Sequence, residues 1–108
     1  MQLYKNFCTE TLDENGNLLD FELDFPENYN FGYDVVDKMA ELAPDDTAVV
    51  WTNPEKEEKI FTFADISRLS NKAANVFRNN GIKKGDKVLV ILKRNYEYWY
   101  VAPALHKL

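Results

Sequence analysis

Residues 81–87, Gly-Ile-Lys-Lys-Gly-Asp-Lys, combine glycine with lysine, the residue types that bind phosphate groups. A phosphate-binding P-loop has the order glycine, four residues, Gly-Lys-Ser/Thr, so that backbone amides and the lysine converge at the start of a helix. Here Gly85 is followed by Asp86 and then by an apolar run that does not suggest a helix. This order of residues predicts a solvated turn rather than a phosphate site.

The other residue types that could do chemistry stand alone. His106 is the single histidine, and no carboxylate can be placed beside it from the sequence, which argues against a metal site. Cys8 has no basic neighbour closer than Lys5, which predicts an unreactive thiol. The acidic residues 9–28 lack the D-x-[DN]-x-[DN]-G spacing of a calcium loop. The sequence therefore predicts no catalytic residue, no cofactor-binding residue and no metal ligand within this chain.

Aromatic side chains cluster at residues 96–100, where they could stack on nucleic-acid bases. The net charge of −5 argues against that function, because contacts with phosphate need a basic surface. The same charge argues against an anionic membrane surface as a partner. We expect these aromatic side chains to pack against protein outside the chain, with neither nucleic acid nor membrane as a partner.

Length and composition describe an ordinary globular domain. The chain has 108 residues, of which 45% are hydrophobic and 29% charged. Its single cysteine cannot form an intrachain disulfide, which suits a reducing compartment. The N-terminus has no apolar core of a secretory signal, and no run of about 18 apolar residues occurs. A cytoplasmic location is the expectation from these features.

A helix with clear ends is predicted over residues 63–80. Thr62 can serve as its N-cap, and Asp65 can complete a capping box. At the other end Gly81 suits a left-handed residue, and Ile82 can fold back onto the helix in a Schellman motif. An apolar stripe at helical spacing is expected to be its buried side: Ile66, Leu69, Ala73 and Phe77.

Residues 88–92, Val-Leu-Val-Ile-Leu, are apolar at every position. Such a run is typical of a strand covered on both faces in a parallel α/β sheet. A helix from Tyr96, capped by Asn95, should follow, with Pro103 kinking it or costing about 3 kcal/mol. The chain stops at Leu108 without a C-cap, which predicts that the sequence has been cut.

Two elements are predicted before the central helix. Asn30 can cap a helix that runs to about Ala43, where Pro44 closes it. Residues 47–51 are β-branched and aromatic, and residues 59–61 return after a polar turn. Together these residues predict a β-hairpin that leads into the central helix.

Residues 1–29 form an acidic lead-in before these elements. The pair Asn15-Gly16 suits a hairpin turn, and residues 19–25 alternate between apolar and acidic side chains. A small hairpin is compatible with this pattern. An irregular segment, held to the surface by its apolar side chains, is the favoured prediction.

Two motifs resemble those of a known family. Residues 61–66, Phe-Thr-Phe-Ala-Asp-Ile, are similar to the first core motif of the AMP-forming acyl-CoA synthetases, which belong to the adenylate-forming superfamily. Residues 81–88 resemble the glycine-x-x-x-Gly-Asp-Arg-Val turn of the same enzymes. Residues 30–37, 48–51 and 69–76 are similar to the medium-chain and acetyl-type branch. The family usually has proline where Arg94 stands.

Residues 105–108, Leu-His-Lys-Leu, resemble the opening of the second core motif of this family. The resemblance implies a parent enzyme that uses ATP, Mg²⁺ and coenzyme A. In it, a carboxylate attacks the α-phosphate of ATP to give an acyl-adenylate and pyrophosphate, and the thiol of coenzyme A then displaces AMP. The motifs assigned to these steps lie outside this chain, so the resemblance transfers no site residue to it.

The fold class implied is α/β, with a β-hairpin and a helix-strand-helix crossover unit. Residues 30–108 would form part of the N-terminal domain of such an enzyme, with the rest of the parent as partner. A free-standing, non-catalytic interaction module is the competing hypothesis. In isolation, residues 88–108 would leave apolar surface and a bare strand edge, which predicts a homo-oligomer through this half.

Overall fold

The computed structural model describes residues 2–108. In chain order the elements are a 3₁₀ turn (Leu3–Asn6), strands β1 (Cys8–Leu12) and β2 (Leu18–Leu23), a π-helical turn (Gly32–Asp37) that continues into α1 (Lys38–Leu42), strands β3 (Thr47–Thr52) and β4 (Glu58–Thr62), and helices α2 (Phe63–Asn79) and α3 (Tyr98–His106). Each hairpin is a separate two-stranded antiparallel sheet. This mixture of helices and strands confirms the predicted fold class.

The N-terminal hairpin is fixed by hydrogen bonds within its turn. Asp13 Oδ1 accepts from the backbone amides of Asn15 and Asn17, each at 2.8 Å. Gly16 has a φ of +82°, which glycine adopts without strain. The favoured prediction of an irregular segment is therefore wrong, because the turn is closed by these bonds and β1 pairs with β2. The division of the chain after residue 29 stays a prediction.

The first helical stretch begins at the predicted place but opens with a π-turn. Asn30 Oδ1 accepts from the amide of Gly32 at 2.9 Å, and Asp34 Oδ2 accepts from the amide of Asn30 at 2.7 Å. The stretch ends at Leu42, shortly before Pro44. The start and the end agree with the prediction, whereas the wider π winding was not expected from the sequence.

The β3–β4 hairpin confirms the prediction for residues 47–61. Its strands pair antiparallel, with a shift of register between Thr47 and Val49. Strand β4 ends at Thr62, which is also the N-cap of α2. The hairpin and the helix are therefore joined without a loop. The amide of Phe63, the first residue of α2, donates to the carbonyl of Asp46, which directly precedes β3, at 3.1 Å.

Both predicted ends of α2 are confirmed. Thr62 Oγ1 accepts from the amide of Asp65, and Asp65 Oδ2 accepts from the amide of Thr62, each at 3.2 Å, which is a capping box. The amide of Ile82 donates to the carbonyl of Phe77 at 3.1 Å, as in a Schellman motif. Gly81 has the left-handed φ of +89° that this motif requires.

The buried side of α2 is displaced from the predicted stripe. Ile66, Ser70 and Ala74 are the buried residues of the helix. The Ser70 hydroxyl donates to the carbonyl of Ser67 at 2.8 Å, so this buried polar side chain has a hydrogen-bond acceptor. The remaining members of the predicted stripe are half-buried: Leu69, Ala73 and Phe77.

Residues 88–92 do not form a strand of a sheet. No backbone–backbone hydrogen bond within residues 2–108 involves them. Leu89 and Ile91 are 84% and 82% exposed, whereas Val88 and Leu92 are 42% and 40% exposed, a period of two that indicates an extended chain. The prediction of a strand in a parallel sheet is wrong for this chain, because the described residues place no neighbouring strand beside the segment.

Helix α3 starts later than predicted and includes its proline. It begins at Tyr98, and no side chain caps it, so the predicted cap at Asn95 is wrong. Pro103 lies buried inside the helix, where it has no amide to donate. Its carbonyl still accepts from the amide of Lys107 at 3.1 Å, and the helix continues to His106.

Substitution of Gly81 tests the assignment of the turn after α2. Gly81→Val should lower the free energy of unfolding by about 1–2 kcal/mol or more, because a side chain with a Cβ atom is strained at positive φ. Lys84→Ala, at an exposed position of the same turn, should change it by less than about 0.5 kcal/mol. Urea denaturation measures both values, and equal losses would contradict the assignment.

The capping box should make stability depend on pH in acid. The amide of Thr62 and the guanidinium of Arg68 lower the pKa of Asp65 below its ordinary value of 3.8. A depressed pKa in the folded state stabilises the protein above the unfolded-state pKa, and this contribution is lost as the pH falls through the folded-state pKa.

We therefore expect the urea concentration at the midpoint of unfolding to decrease as the pH is lowered from neutral to about pH 3. Asp65→Asn should show a smaller fall. Asp13, whose pKa is lowered by the side chain of Asn17, should retain its share of the effect in that variant. An unchanged acid dependence in Asp65→Asn would contradict this expectation.

Candidate functional site

The most deeply buried charged group of the described chain is the ammonium of Lys107, whose side chain is 2% exposed. Lys107 Nζ lies 2.6 Å from Asp37 Oδ1, 2.8 Å from Asn71 Oδ1 and 3.0 Å from Ser70 Oγ. We call these four residues the Lys107 cluster. It is the strongest candidate for a functional site because burial of a charge is costly unless the charge is paired.

Three helical elements bring the Lys107 cluster together. Asp37 ends the π-turn, Ser70 and Asn71 lie in the middle of α2, and Lys107 follows the last residue of α3. The hydroxyl of Ser67 donates to Asp37 Oδ1 at 2.7 Å and holds that carboxylate in place. The cluster therefore fixes the positions of three helices relative to one another.

The chemistry open to this cluster is limited by its hydrogen bonds. A lysine ammonium has three N–H donors, and each has an acceptor within the chain. The Tyr33 ring, 5.7 Å from Nζ, closes another side. All three donors are therefore used by acceptors within the described chain, and the cluster connects the three elements that supply them.

Sequence reasoning missed this cluster, because its members are distant in the chain. Asp37 and Lys107 are 70 positions apart, and Ser70 and Lys107 are 37 apart. The one signal that could have found it is Ser70, which falls one helical turn after the apolar Ile66 and thus on the buried side.

The glycine-lysine turn does not offer a phosphate site. Asp86 Oδ2 accepts from the amide of Lys83 at 2.9 Å, and the amide of Asp86 donates to the carbonyl of Lys83 at 3.1 Å. Gly85 has a φ of +93°. The Asp86 carboxylate thus accepts from the Lys83 amide, which would otherwise be available to bind a phosphate. These residues therefore do not fit ATP.

The other candidate residues stay apart from one another. The side chain of His106 is exposed and lies edge-on to Phe31, with ring centroids 6.0 Å apart, and its carbonyl accepts from the amide group of Asn30. Cys8 is a free, half-buried cysteine on β1. Within residues 2–108, no three histidine, cysteine, aspartate or glutamate side chains are placed to hold a metal ion.

Tyr96 packs on the β3–β4 hairpin, which corrects the expectation that all of residues 96–100 face protein outside the chain. Its ring centroid is 5.2 Å from that of Trp51 and 5.4 Å from that of Phe61. Lys59 Nζ donates to the Tyr96 hydroxyl at 3.1 Å, and this bond raises the pKa of Lys59. Burial raises the pKa of Tyr100. Two rings of the group remain about half exposed: Tyr98 and Trp99.

An open apolar cleft of about 390 Å³ lies between the π-turn, β3, α2 and α3. Val36, Val49 and Ile66 are among the side chains that line it, and Phe31 and Trp99 are exposed at 43% and 51%. The lining has no charged pair that could orient a reacting group. Its chemistry is that of an apolar contact surface.

Comparison with known proteins gives the family. The family described as AMP-binding enzyme matches residues 36–108. The mitochondrial acyl-coenzyme A synthetase ACSM4 of Rattus norvegicus is 36% identical over 97 residues, which cover 84% of this chain and 17% of that protein. The mitochondrial synthetase ACSM3 of Homo sapiens is 35% identical over 86 residues, covering 74% of this chain and 15% of that protein.

These matches, together with the fold, place the chain in a class: it belongs to the AMP-binding enzyme family. More closely, it is similar to part of the acyl-coenzyme A synthetases, and ACSM5 of Rattus norvegicus is a further relative, 35% identical over 80 residues. The chain spans about 17% of the length of the first of these relatives. The alternative of a free-standing interaction module receives no support from them.

The comparisons also correct the expected location. The relatives are mitochondrial proteins by name, which contradicts the prediction of a cytoplasmic chain. The prediction was wrong because a single cysteine and the lack of an apolar secretory signal or spanning run are compatible with more than one intracellular compartment. No helix within residues 2–108 has the length and hydropathy needed to cross a membrane.

Proposed function

We propose that this chain is a structural part of an ATP-dependent, AMP-forming acyl-CoA synthetase. The observation that carries the proposal is the family match over residues 36–108, most of the helical body. The chain contributes the β3–β4 hairpin and helices α2 and α3 as a scaffold. The reacting groups of the enzyme lie elsewhere in the parent.

The scaffold role rests on how the charged groups of the chain are used. The Lys107 ammonium donates to three acceptors, and the amide of Lys83 donates to the Asp86 carboxylate. Catalysis of phosphoryl or acyl transfer needs donors directed at the charge that develops on the reacting group. Neither of these two donors is free to serve in that way.

The proposed parent reaction has two steps. A carboxylate oxygen attacks the α-phosphorus of ATP and pyrophosphate leaves, with Mg²⁺ balancing the phosphate charge. The sulfur of coenzyme A then attacks the acyl carbon, the bond to AMP breaks, and the products are acyl-CoA and AMP. We propose short-chain, medium-chain or aromatic acids as substrates, from the resemblance of residues 30–37, 48–51 and 69–76 to the medium-chain and acetyl-type branch.

The test compares the intact gene product with the 108-residue chain. Each is incubated with ATP, Mg²⁺, coenzyme A and a panel of carboxylic acids, and acyl-CoA and AMP are measured. Omission of coenzyme A isolates the first step, which should release pyrophosphate only when an acid is present. We expect turnover by the intact product and none by the chain alone.

Two outcomes would overturn the proposal. An intact product that uses no acid of the panel would remove the acyl-CoA synthetase function. Turnover by the 108-residue chain would show that it carries reacting groups and is not a scaffold.

A further inference from the structure

The last carbonyl groups of α3 are bonded by side chains from another part of the chain. An α-helix leaves the carbonyls of its final turn without partners inside the helix, and a glycine after the helix often supplies the missing bonds. Here the carbonyl of His106 accepts from the side-chain amide of Asn30, and the carbonyl of Lys107 accepts from the Tyr33 hydroxyl at 3.1 Å. The end of α3 is therefore capped by residues that lie 76 and 74 positions earlier in the sequence.

The side chain of Asn30 is held in place by the start of the π-turn. Its Oδ1 accepts from the amide of Gly32 at 2.9 Å, and its backbone amide donates to Asp34 Oδ2 at 2.7 Å. With Oδ1 engaged in this way, Nδ2 donates to the carbonyl of His106. One amide side chain thus joins the first turn of one helical element to the last turn of another.

Lys107 is held at both of its ends by the π-turn. The Tyr33 hydroxyl bonds its carbonyl, and Asp37 Oδ1 accepts from its ammonium at 2.6 Å. Because Tyr33 and Asp37 are about one helical turn apart, they lie on the same side of the π-turn. Lys107 cannot swing away from this side without breaking one of the two bonds. We call Asn30, Tyr33 and Asp37 the α3 clamp.

Packing holds the preceding turn of α3 independently of the clamp. Pro103 and Ala104 are buried. A Cβ atom at Gly32 would lie 2.9 Å from the carbonyl oxygen of Pro103, so the two backbones are already in close contact there. The bonds to the carbonyls of His106 and Lys107 therefore act on the end of the helix rather than on its body.

We propose that the residues of the α3 clamp are positioning residues of the intact enzyme, which make the backbone after Leu108 leave the helix in one fixed direction. The inference rests on the proposed function, in which this chain is one part of a longer synthetase whose reacting groups lie elsewhere. The clamp acts on them through His106 and Lys107. Because a displacement of about 1 Å far from the reacting atoms can slow a reaction strongly, loosening this exit lowers turnover rather than substrate binding.

The test compares variants of the intact gene product that each lose one hydrogen bond. Tyr33→Phe removes the hydroxyl that bonds the carbonyl of Lys107 and keeps the ring. Asn30→Ser removes the donor to the carbonyl of His106 and keeps a residue type that caps a helix start equally well. Tyr4→Phe is the matched control, because it removes an exposed hydroxyl bond, to Glu10 at 3.0 Å, in the N-terminal hairpin.

Hydrogen exchange followed by mass spectrometry measures how well the end of α3 is ordered. In Tyr33→Phe and Asn30→Ser, we expect exchange to be about fivefold faster in the peptide that extends from α3 past Leu108, as for the loss of one hydrogen bond. Exchange in the β3–β4 hairpin should be unchanged, and Tyr4→Phe should alter neither region. Unchanged exchange at the end of α3, or an equal increase in both regions, would overturn the proposal.

Steady-state kinetics measure whether this order matters for the reaction. The kcat of Tyr33→Phe and Asn30→Ser should fall by about three- to tenfold, while the KM values for ATP and for the acid stay within about twofold. Circular dichroism at the assay temperature verifies that each variant is fully folded, so that a lower kcat does not reflect a loss of active protein. Faster exchange with the kcat of the wild type would limit the clamp to a structural role and overturn the proposal.

Failure of the proposed function would be recognised separately. An intact wild-type product that uses no acid of the panel would remove the synthetase activity. The exchange comparison needs no turnover: locally faster exchange would then still support the fixed direction of the chain after Leu108, and unchanged exchange would overturn it.

Discussion

Lys107→Ala should lower the free energy of unfolding by about 3–5 kcal/mol. The substitution removes the ammonium that pairs with Asp37 at 2.6 Å and bonds Asn71 and Ser70. It leaves a carboxylate that is 25% exposed without its cation, and a vacated space where the lysine stem packs. Breaking one partner of a buried pair is far more costly than losing the pair as a whole.

A second ion pair provides the matched control. Lys38 and Glu41 are 2.7 Å apart but 48% and 66% exposed, so Lys38→Ala should cost less than about 1 kcal/mol. Chemical denaturation of both variants makes the comparison. Similar losses would contradict the special role given to the Lys107 cluster.

A double-mutant cycle tests the pairing directly. Lys107→Met leaves an unpaired carboxylate, whereas Lys107→Met combined with Asp37→Asn leaves none. The double variant should be destabilised by less than the sum of the two single variants, with a coupling of about 0.5–3 kcal/mol. Additive losses would show that the two side chains do not act as a pair.

Gly32→Ala should destabilise the protein by about 1–3 kcal/mol, although alanine is the better helix former. A Cβ atom at position 32 would lie 2.7 Å from Cγ of Lys107 and 2.9 Å from the carbonyl oxygen of Pro103. The second of these atoms belongs to the backbone of α3 and cannot move aside alone. The close approach of the π-turn to α3 therefore requires glycine.

The opposite substitution at an exposed helical position gives the control. Ala64→Gly, in the first turn of α2, should cost about 1 kcal/mol through helix propensity alone. Urea unfolding should thus show alanine favoured at position 64 and glycine favoured at position 32. A gain in stability for Gly32→Ala would contradict the close packing of these two elements.

Local sequence determined the elements whose stabilising bonds are local. The ends of α2 were predictable because Thr62 with Asp65, and Gly81 with Ile82, are near neighbours in sequence and carry specific capping chemistry. The β3–β4 hairpin was predictable for a similar reason. The N-terminal hairpin was undervalued, since its Asn15-Gly16 turn is also a short-range signal.

The features that were missed depend on distant partners. Residues 88–92 have the composition of a buried strand, but a ladder needs a neighbour that the described chain does not supply. The Lys107 cluster was not predictable from the sequence, because a lysine near a chain end usually lies at the surface. Only the packing of α3 against α2 and the π-turn places its ammonium beside Asp37.

The π-turn has a consequence for how long this part of the chain must be. The turn and Asn30, which precedes it, contact the end of α3 at three places: Asn30 at the carbonyl of His106, Tyr33 at the carbonyl of Lys107, and Asp37 at the Lys107 ammonium. Deleting one residue from the turn would allow ordinary α winding but would rotate its two ends relative to each other by about 100°. These contacts could then no longer all form, so the π winding sets the length of chain needed between Asn30 and Asp37.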